Sequence, residues 1–201
     1  MSKIAPCLWF ANEAEEAANF YVSLFPGSRI DHVQKNVVET PSGPEGSVLV
    51  VSFTLAGQRF MALNGGRRFE YTHAISLEVD CDDQAEVDRL WDGLSAGGAI
   101  EQCGWLKDRY GVSWQIVPTV VKQMLADPDP AKAGRVLQAI MEMIKLDIAG
   151  LQAAYADSWQ RSGHPSQARS LRSRAIACSC KAFSPSCISS MRLPSGSAIQ
   201  A

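Results

Sequence analysis

Apolar positions along this chain follow a strand–helix–strands rhythm that is played twice. Residues 4–10 form a short apolar run, expected to be a strand buried on both faces. Asn12 then opens a helix. Glu15, three residues on, completes a capping-box pattern, and Ala17, Phe20, Tyr21 and Leu24 recur at i, i+3, i+4 and i+7. Phe25-Pro26-Gly27 stops this helix, because proline cannot continue it and glycine tolerates a left-handed cap. Residues 28–38 read as a strand, 41–46 as a loop of turn formers, and 47–55 with 58–64 as a hairpin across Ala56-Gly57. Gly65-Gly66-Arg67-Arg68 reads as a linker rather than a phosphate-binding turn.

The second half repeats the first at an offset of 71: Asn12, Ala14 and Glu15 recur as Asp83, Ala85 and Glu86, Phe20 falls on Trp91, and Gly27 on Gly98. Residues 74–79 alternate, so Ile75, Leu77 and Val79 are expected under a helix, with Ala74, Ser76 and Glu78 on the opposite face. Asp83 caps a helix with the stripe Val87, Leu90, Trp91 and Leu94, closed by Gly97-Gly98. Strands are predicted at 99–103, 105–107 and 113–117, with a turn at 108–111 and Pro118 ending the sheet. A short helix at 120–125 and a proline-rich turn at 127–130 lead to one long helix over 131–156. Its stripe is Val136, Ile140, Ile144, Ile148, Leu151 and Tyr155. That stripe should cover a sheet face or a partner subunit. Burial of Ile140, Ile144 and Ile148 at about 1.5–3 kcal/mol each would make Ile144→Asp severe.

These elements give an α+β fold: tandem β-α-β-β-β modules at about 3–66 and 72–118, forming curved mixed sheets, with a helical extension over 119–157. Residues 1–157 make one domain. An apolar share of 46% suffices for its core. Charge marks the boundary. All 21 acids lie at or before Asp157, where 13 Lys and Arg leave −8, while 158–201 carries six bases, no acid and twelve serines. This tail is expected to be disordered, since it lacks an apolar period that could offset ordering roughly forty residues at about 1–2 kcal/mol each. Truncation after Asp157 should therefore preserve the melting temperature and reduce oxidation-dependent oligomers. A large drop in melting temperature would place the boundary elsewhere.

The net charge of −2 and pI near 5.9 argue against nucleic acid as a partner, and no run approaches the roughly 18 apolar residues of a membrane span. The apolar N-terminus is too short for a signal peptide and runs into Asn12-Glu13. Six cysteines without a CxxC pair indicate a reduced, cytoplasmic protein.

Two tandem modules with Asp108-x-x-Gly111 before the last strand resemble the vicinal-oxygen-chelate superfamily of glyoxalases, ring-cleaving dioxygenases and bleomycin-resistance proteins. The segments LWF, EAANFYVSLFPGSRI, FMALNGG and QCGWLKDRYGVSWQIVP are similar to its PhnB-like branch, often labelled 3-demethylubiquinone-9 3-methyltransferase domain. The resemblance covers roughly residues 3–156. It implies a homodimer whose clefts are completed by sheets of two chains. In metal-using members His, Gln and Glu on the first and last strands of both modules hold the ion. Here those positions fall near Ala5, at or next to Met61, on Ala74 and on Gln115, so no cofactor is expected and a divalent metal is the minority reading. His73 adjoins a ligand position, but alternation turns it to the other face or leaves it in the linker. The methyltransferase label finds no glycine-rich nucleotide turn to support it.

What remains is a concave cleft lined by Trp9, Asn64, Ser76, Glu78 and Gln115, with Cys7 beside Trp9, and with Trp105 and Tyr110 closing one end. Trp9 could instead be plain core, Asn64 and Ser76 could satisfy backbone groups, and Glu78 could sit at a solvated rim. Cys7 has no histidine partner in sequence and is not expected to be a nucleophile. Aromatic walls with a few amides suit a neutral or cationic planar ligand. The expected function is binding a small molecule without a tightly bound metal. The alternative is a lyase, isomerase or dioxygenase-like enzyme with an atypical metal site.

Overall fold

A computed structural model of the chain describes residues 3–157; the expectations placed on the serine-rich tail lie outside the described residues. In chain order the first module is β1 (Cys7–Phe10), α1 (Ala14–Leu24), β2 (Arg29–Lys35), β3 (Val48–Leu55) and β4 (Gln58–Asn64). The second is β5 (Leu77–Cys81), α2 (Gln84–Ser95), β6 (Ala99–Ile100), β7 (Trp105–Lys107) and β8 (Ser113–Pro118). The sheets have the same spatial order, β1-β4-β3-β2 and β5-β8-β7-β6. In each, the first strand runs parallel to the last, while the neighbouring strands pair antiparallel. The repeated rhythm is a repeated topology.

Each helix covers one face of its sheet. α1 buries Ala14, Ala17, Ala18 and Tyr21, its alanines allowing a close approach to β3 and β4. α2 buries Val87, Leu90, Trp91 and Leu94, the expected stripe. Asp83 caps it, its Oδ1 accepting the Glu86 N–H at 2.8 Å. The α1 cap differs from expectation. Asn12 donates its N–H to Glu13 Oε2, and the Ala14 N–H is taken by Asn64 Oδ1 from β4 at 2.9 Å. The helices meet where Gly93 leaves room for Leu24, so both modules share one core.

Three strand limits differ from expectation. β5 starts at Leu77, and Ile75, expected under α2, is 68% exposed in the linker, while Leu77 and Val79 pack on the core as expected. β2 stops at Lys35 because Asn36 turns inward, its Nδ2 donating to Ser47 Oγ at 2.9 Å and its carbonyl accepting the Gly46 N–H. β6 is only two residues long.

The largest correction concerns residues 131–156. The single helix is two, α4 (Pro130–Glu142) and α5 (Ile148–Tyr155), which pack with α3 (Thr119–Leu125) around Val121, Met124, Val136, Ala139, Leu146, Leu151 and Ala154. No proline or glycine lies within 143–147. The break is imposed from outside. The carbonyls of Met143 and Ile144 accept the N–H groups of Cys103 and Gly104 at 2.8 Å each, and Gln84 holds both the Leu146 carbonyl and the Ile148 N–H. Asp147 then caps α5, accepting the Gly150 N–H. The stripe therefore splits: Val136 and Leu151 are buried, Ile140 and Ile148 half-buried, and Ile144 is 38% exposed. Ile144→Asp loses its expected severity. Among the described residues no helix is long and apolar enough to cross a membrane.

Candidate functional site

Strand alternation leaves each sheet a face that its helix does not cover. On the second sheet that face carries Glu78, Trp105 and Gln115, which lie side by side in the register, Gln115 opposite both Glu78 and Trp105. Gln115 Nε2 donates to Ser76 Oγ at 2.8 Å, so four of the six expected site residues come together. Neither Glu78 nor the neighbouring Asp80 is a free carboxylate, because the Lys122 ammonium bridges them at 2.7 and 2.6 Å. His73 sits in the linker, holding both Glu101 oxygens at 2.9 Å, with its ring centroid 6.2 Å from that of Trp105.

Trp9 belongs to the corresponding face of the first sheet. Leu8 and Phe10 point into the core; Trp9 is half-buried on the other side, and its Nε1 donates to the Arg67 carbonyl at 2.8 Å. The glycine pair after β4 has a steric function here. A Cβ on Gly65 would lie 1.8 Å from the Trp9 ring, and one on Gly66, at φ +75°, 2.0 Å from the Pro41 carbonyl oxygen. Phe69 meets Trp9 edge-on at 5.3 Å.

Asn64 satisfies backbone groups instead. It shares the helix-facing side of β4 with Phe60 and Ala62, is 5% exposed, and spends its amide on Ala14 N–H and the Val48 carbonyl. It does not line the open face. Tyr110, expected at the cleft end, packs among Phe10, Phe20 and Tyr21 and donates its hydroxyl to Glu16. Partial burial pushes the Cys7 thiol above its ordinary pKa, the direction opposite to an activated nucleophile.

One buried carboxylate escaped the sequence reading. Asp108, 2% exposed, ties the modules together. Its Oδ2 accepts the Tyr21 hydroxyl at 2.8 Å and Trp114 Nε1 at 2.9 Å, while its Oδ1 accepts the Tyr110 and Val112 N–H groups. Burial pushes its carboxyl above the ordinary aspartate range, and the same surroundings hold the Tyr21 hydroxyl well above that of free tyrosine. The polar residue in a DRYG turn was the available signal; its partner, 87 residues away, was not.

Among the described residues no three His, Cys, Asp or Glu side chains are grouped to hold a metal ion. The arrangement is chemically a recognition surface: an amide–hydroxyl pair, an indole wall and two carboxylates that share one ammonium.

A PhnB protein of Bacillus cereus is similar at 40% identity, with a TM-score of 0.54 over 58% of this chain and 99% of its own. A Staphylococcus aureus protein of known structure shares 36% identity over 57% of this chain and 94% of its own, at a TM-score of 0.28. No curated protein matches. The family model described as 3-demethylubiquinone-9 3-methyltransferase matches residues 2–117, more than half of the chain, which therefore belongs to that family, on its PhnB-like branch of the glyoxalase-type superfamily.

Proposed function

We propose that the protein binds a small molecule on the open sheet faces, without a tightly held metal, as a homodimer. The observation that carries this reading is the Ser76–Gln115 pair beside Trp105 on a face its own helix leaves uncovered. An amide and a hydroxyl offer donors and acceptors, and the Glu78 carboxylate beside them is engaged by Lys122. The ligand is a neutral or cationic planar molecule lying against the indole. Methyl transfer, the activity in the family's name, draws no support from these residues: each sheet is mixed, and no glycine-rich turn follows its first strand.

Metal-free binding is favoured because Ala5 and Ala74 fall before β1 and β5, and the open-face pairs on the strands themselves are Cys7 with Met61 and Gln115 with a Glu78 that Lys122 already engages. Elemental analysis of gently purified protein should find no stoichiometric Zn, Ni, Mn or Fe, and native mass spectrometry should detect a small molecule released by Gln115→Ala. About one metal per chain would promote the enzyme reading.

Dimer formation is favoured because Trp9, Val50, Met61 and Leu63 stand half-buried on the open face of the first sheet, outside both cores. Light scattering should give twice 21.8 kDa. Leu63→Asp should weaken association by roughly 10–100-fold, the equivalent of one buried leucine at about 1.5–3 kcal/mol, without unfolding the chain. A monomeric unmodified protein would overturn this part.

A further inference from the structure

We propose that a groove between the linker and the β7–β8 turn binds a small organic anion, a phosphate or carboxylate carried on a flat body. The groove is open to solvent and offers about 410 Å3 between residues 68–71 on one side and residues 98–99 and 107–111 on the other. That volume suits a small molecule.

Charge favours an anion. Arg68, Lys107 and Arg109 line the groove against Glu70 alone, since Asp108 is turned inward with both oxygens occupied. Glu13 engages Arg68 from outside the groove. Among the described residues no carboxylate pairs with Lys107 or Arg109, and the Arg109 guanidinium lies 4.3 Å over the Phe20 ring, which fixes it in place.

Backbone donors add to this. Residues 68–70 lie outside any strand or helix, and the N–H groups of Arg68, Phe69, Glu70 and Arg109 meet no acceptor among the described residues. Several cations lining one concave site are the chemistry that recognises phosphate and carboxylate oxygens. The flat body has its wall in Phe69, a residue 47% exposed whose ring carries Arg67 at 4.3 Å on one face. Alternation along β7 places Lys107 on the same face as Trp105, so the groove adjoins the Ser76–Gln115 surface, yet it does not depend on what occupies that surface.

The test is titration of the isotopically labelled full chain with phenyl phosphate, followed through backbone amide shifts. Saturable shifts confined to residues 68–71 and 107–111, with a dissociation constant of roughly 0.1–1 mM, are expected, while the Ser76 and Gln115 amides stay still. Phenol should leave these amides unmoved, and inorganic phosphate should bind about tenfold more weakly. Lys107→Gln combined with Arg109→Gln should weaken binding by at least about tenfold, and Lys107→Arg should retain it. Should the double variant misfold, Lys107→Glu alone carries the same expectation. Absent or non-saturating shifts overturn the proposal, as does undiminished binding by a folded variant. Equal binding of inorganic phosphate overturns the flat body. Shifts at Ser76 and Gln115 instead would place the anion on the open face and leave the groove empty.

Discussion

Asp108→Ala is expected to leave little folded protein at physiological temperature. The substitution strands four donors at once: the Tyr21 hydroxyl from α1, Trp114 Nε1 from β8, and the backbone N–H groups of Tyr110 and Val112. A buried donor without a partner costs about 1–3 kcal/mol, and native stability is only about 5–15 kcal/mol, so even the lower figure removes most of a modest margin. Asp108→Asn keeps one carbonyl oxygen but presents an NH2 group to donors, and should cost about 2–3 kcal/mol. Tyr21→Phe removes one donor and should cost about 1 kcal/mol. Urea denaturation followed by circular dichroism ranks the three. A loss below about 1 kcal/mol for Asp108→Ala would mean that water or backbone rearrangement satisfies the stranded groups.

The same carboxylate has a pH signature. Burial raises its folded pKa despite the four donors, which act in the other direction. The folded state then holds the proton more tightly than the unfolded chain. Between the ordinary aspartate value and the raised folded value, stability from this group rises as pH falls. Glu13, Asp88 and Asp127 behave oppositely: hydrogen bonds, led by the Asn12 N–H, Lys145 and Tyr155 respectively, lower their values, so their contributions are lost as pH falls through the folded pKa. The stability gap between the unmodified protein and Asp108→Asn should widen on mild acidification. A narrowing gap would show that the four donors outweigh burial.

The repeated apolar rhythm was enough to read the duplicated topology, because core faces follow from period alone: Val87, Leu90, Trp91 and Leu94 lie where 3.6-residue spacing puts them. Alternation likewise brought Ser76, Glu78 and Gln115 to one face. It also held the correct answer for Asn64, since Phe60 and Ala62 share its parity and are buried, while Met61 and Leu63 do not. The α1 cap was not legible, because the residue that satisfies the Ala14 N–H stands 50 positions away. Sequence signals for caps are local, and a cap supplied by another strand leaves none. Asp108 is the stronger instance, a turn residue whose function is defined by α1 and β8.

Leu151→Asp is expected to melt the C-terminal three-helix unit, whereas Ile144→Asp should cost less than about 1 kcal/mol. Both residues belong to one apolar series along residues 131–156, and a single continuous helix would bury both. The break at 143–147 separates them: Leu151 is fully buried in the cluster with Val136 and Leu146, while Ile144 is 38% exposed beside the Gly104 N–H that its carbonyl accepts. A carboxylate at Leu151 loses the leucine's packing, worth about 2–5 kcal/mol when truncated to alanine, and adds the desolvation of a charge with no cation in that cluster. An exposed Ile144 offers an aspartate water instead. Amide hydrogen exchange over α3, α4 and α5 distinguishes local melting from global unfolding, with protection lost across all three helices in Leu151→Asp and retained in Ile144→Asp. If both substitutions proved equally damaging, the helix would be continuous in solution, and the hydrogen bonds from Cys103, Gly104 and Gln84 would not be strong enough to interrupt it.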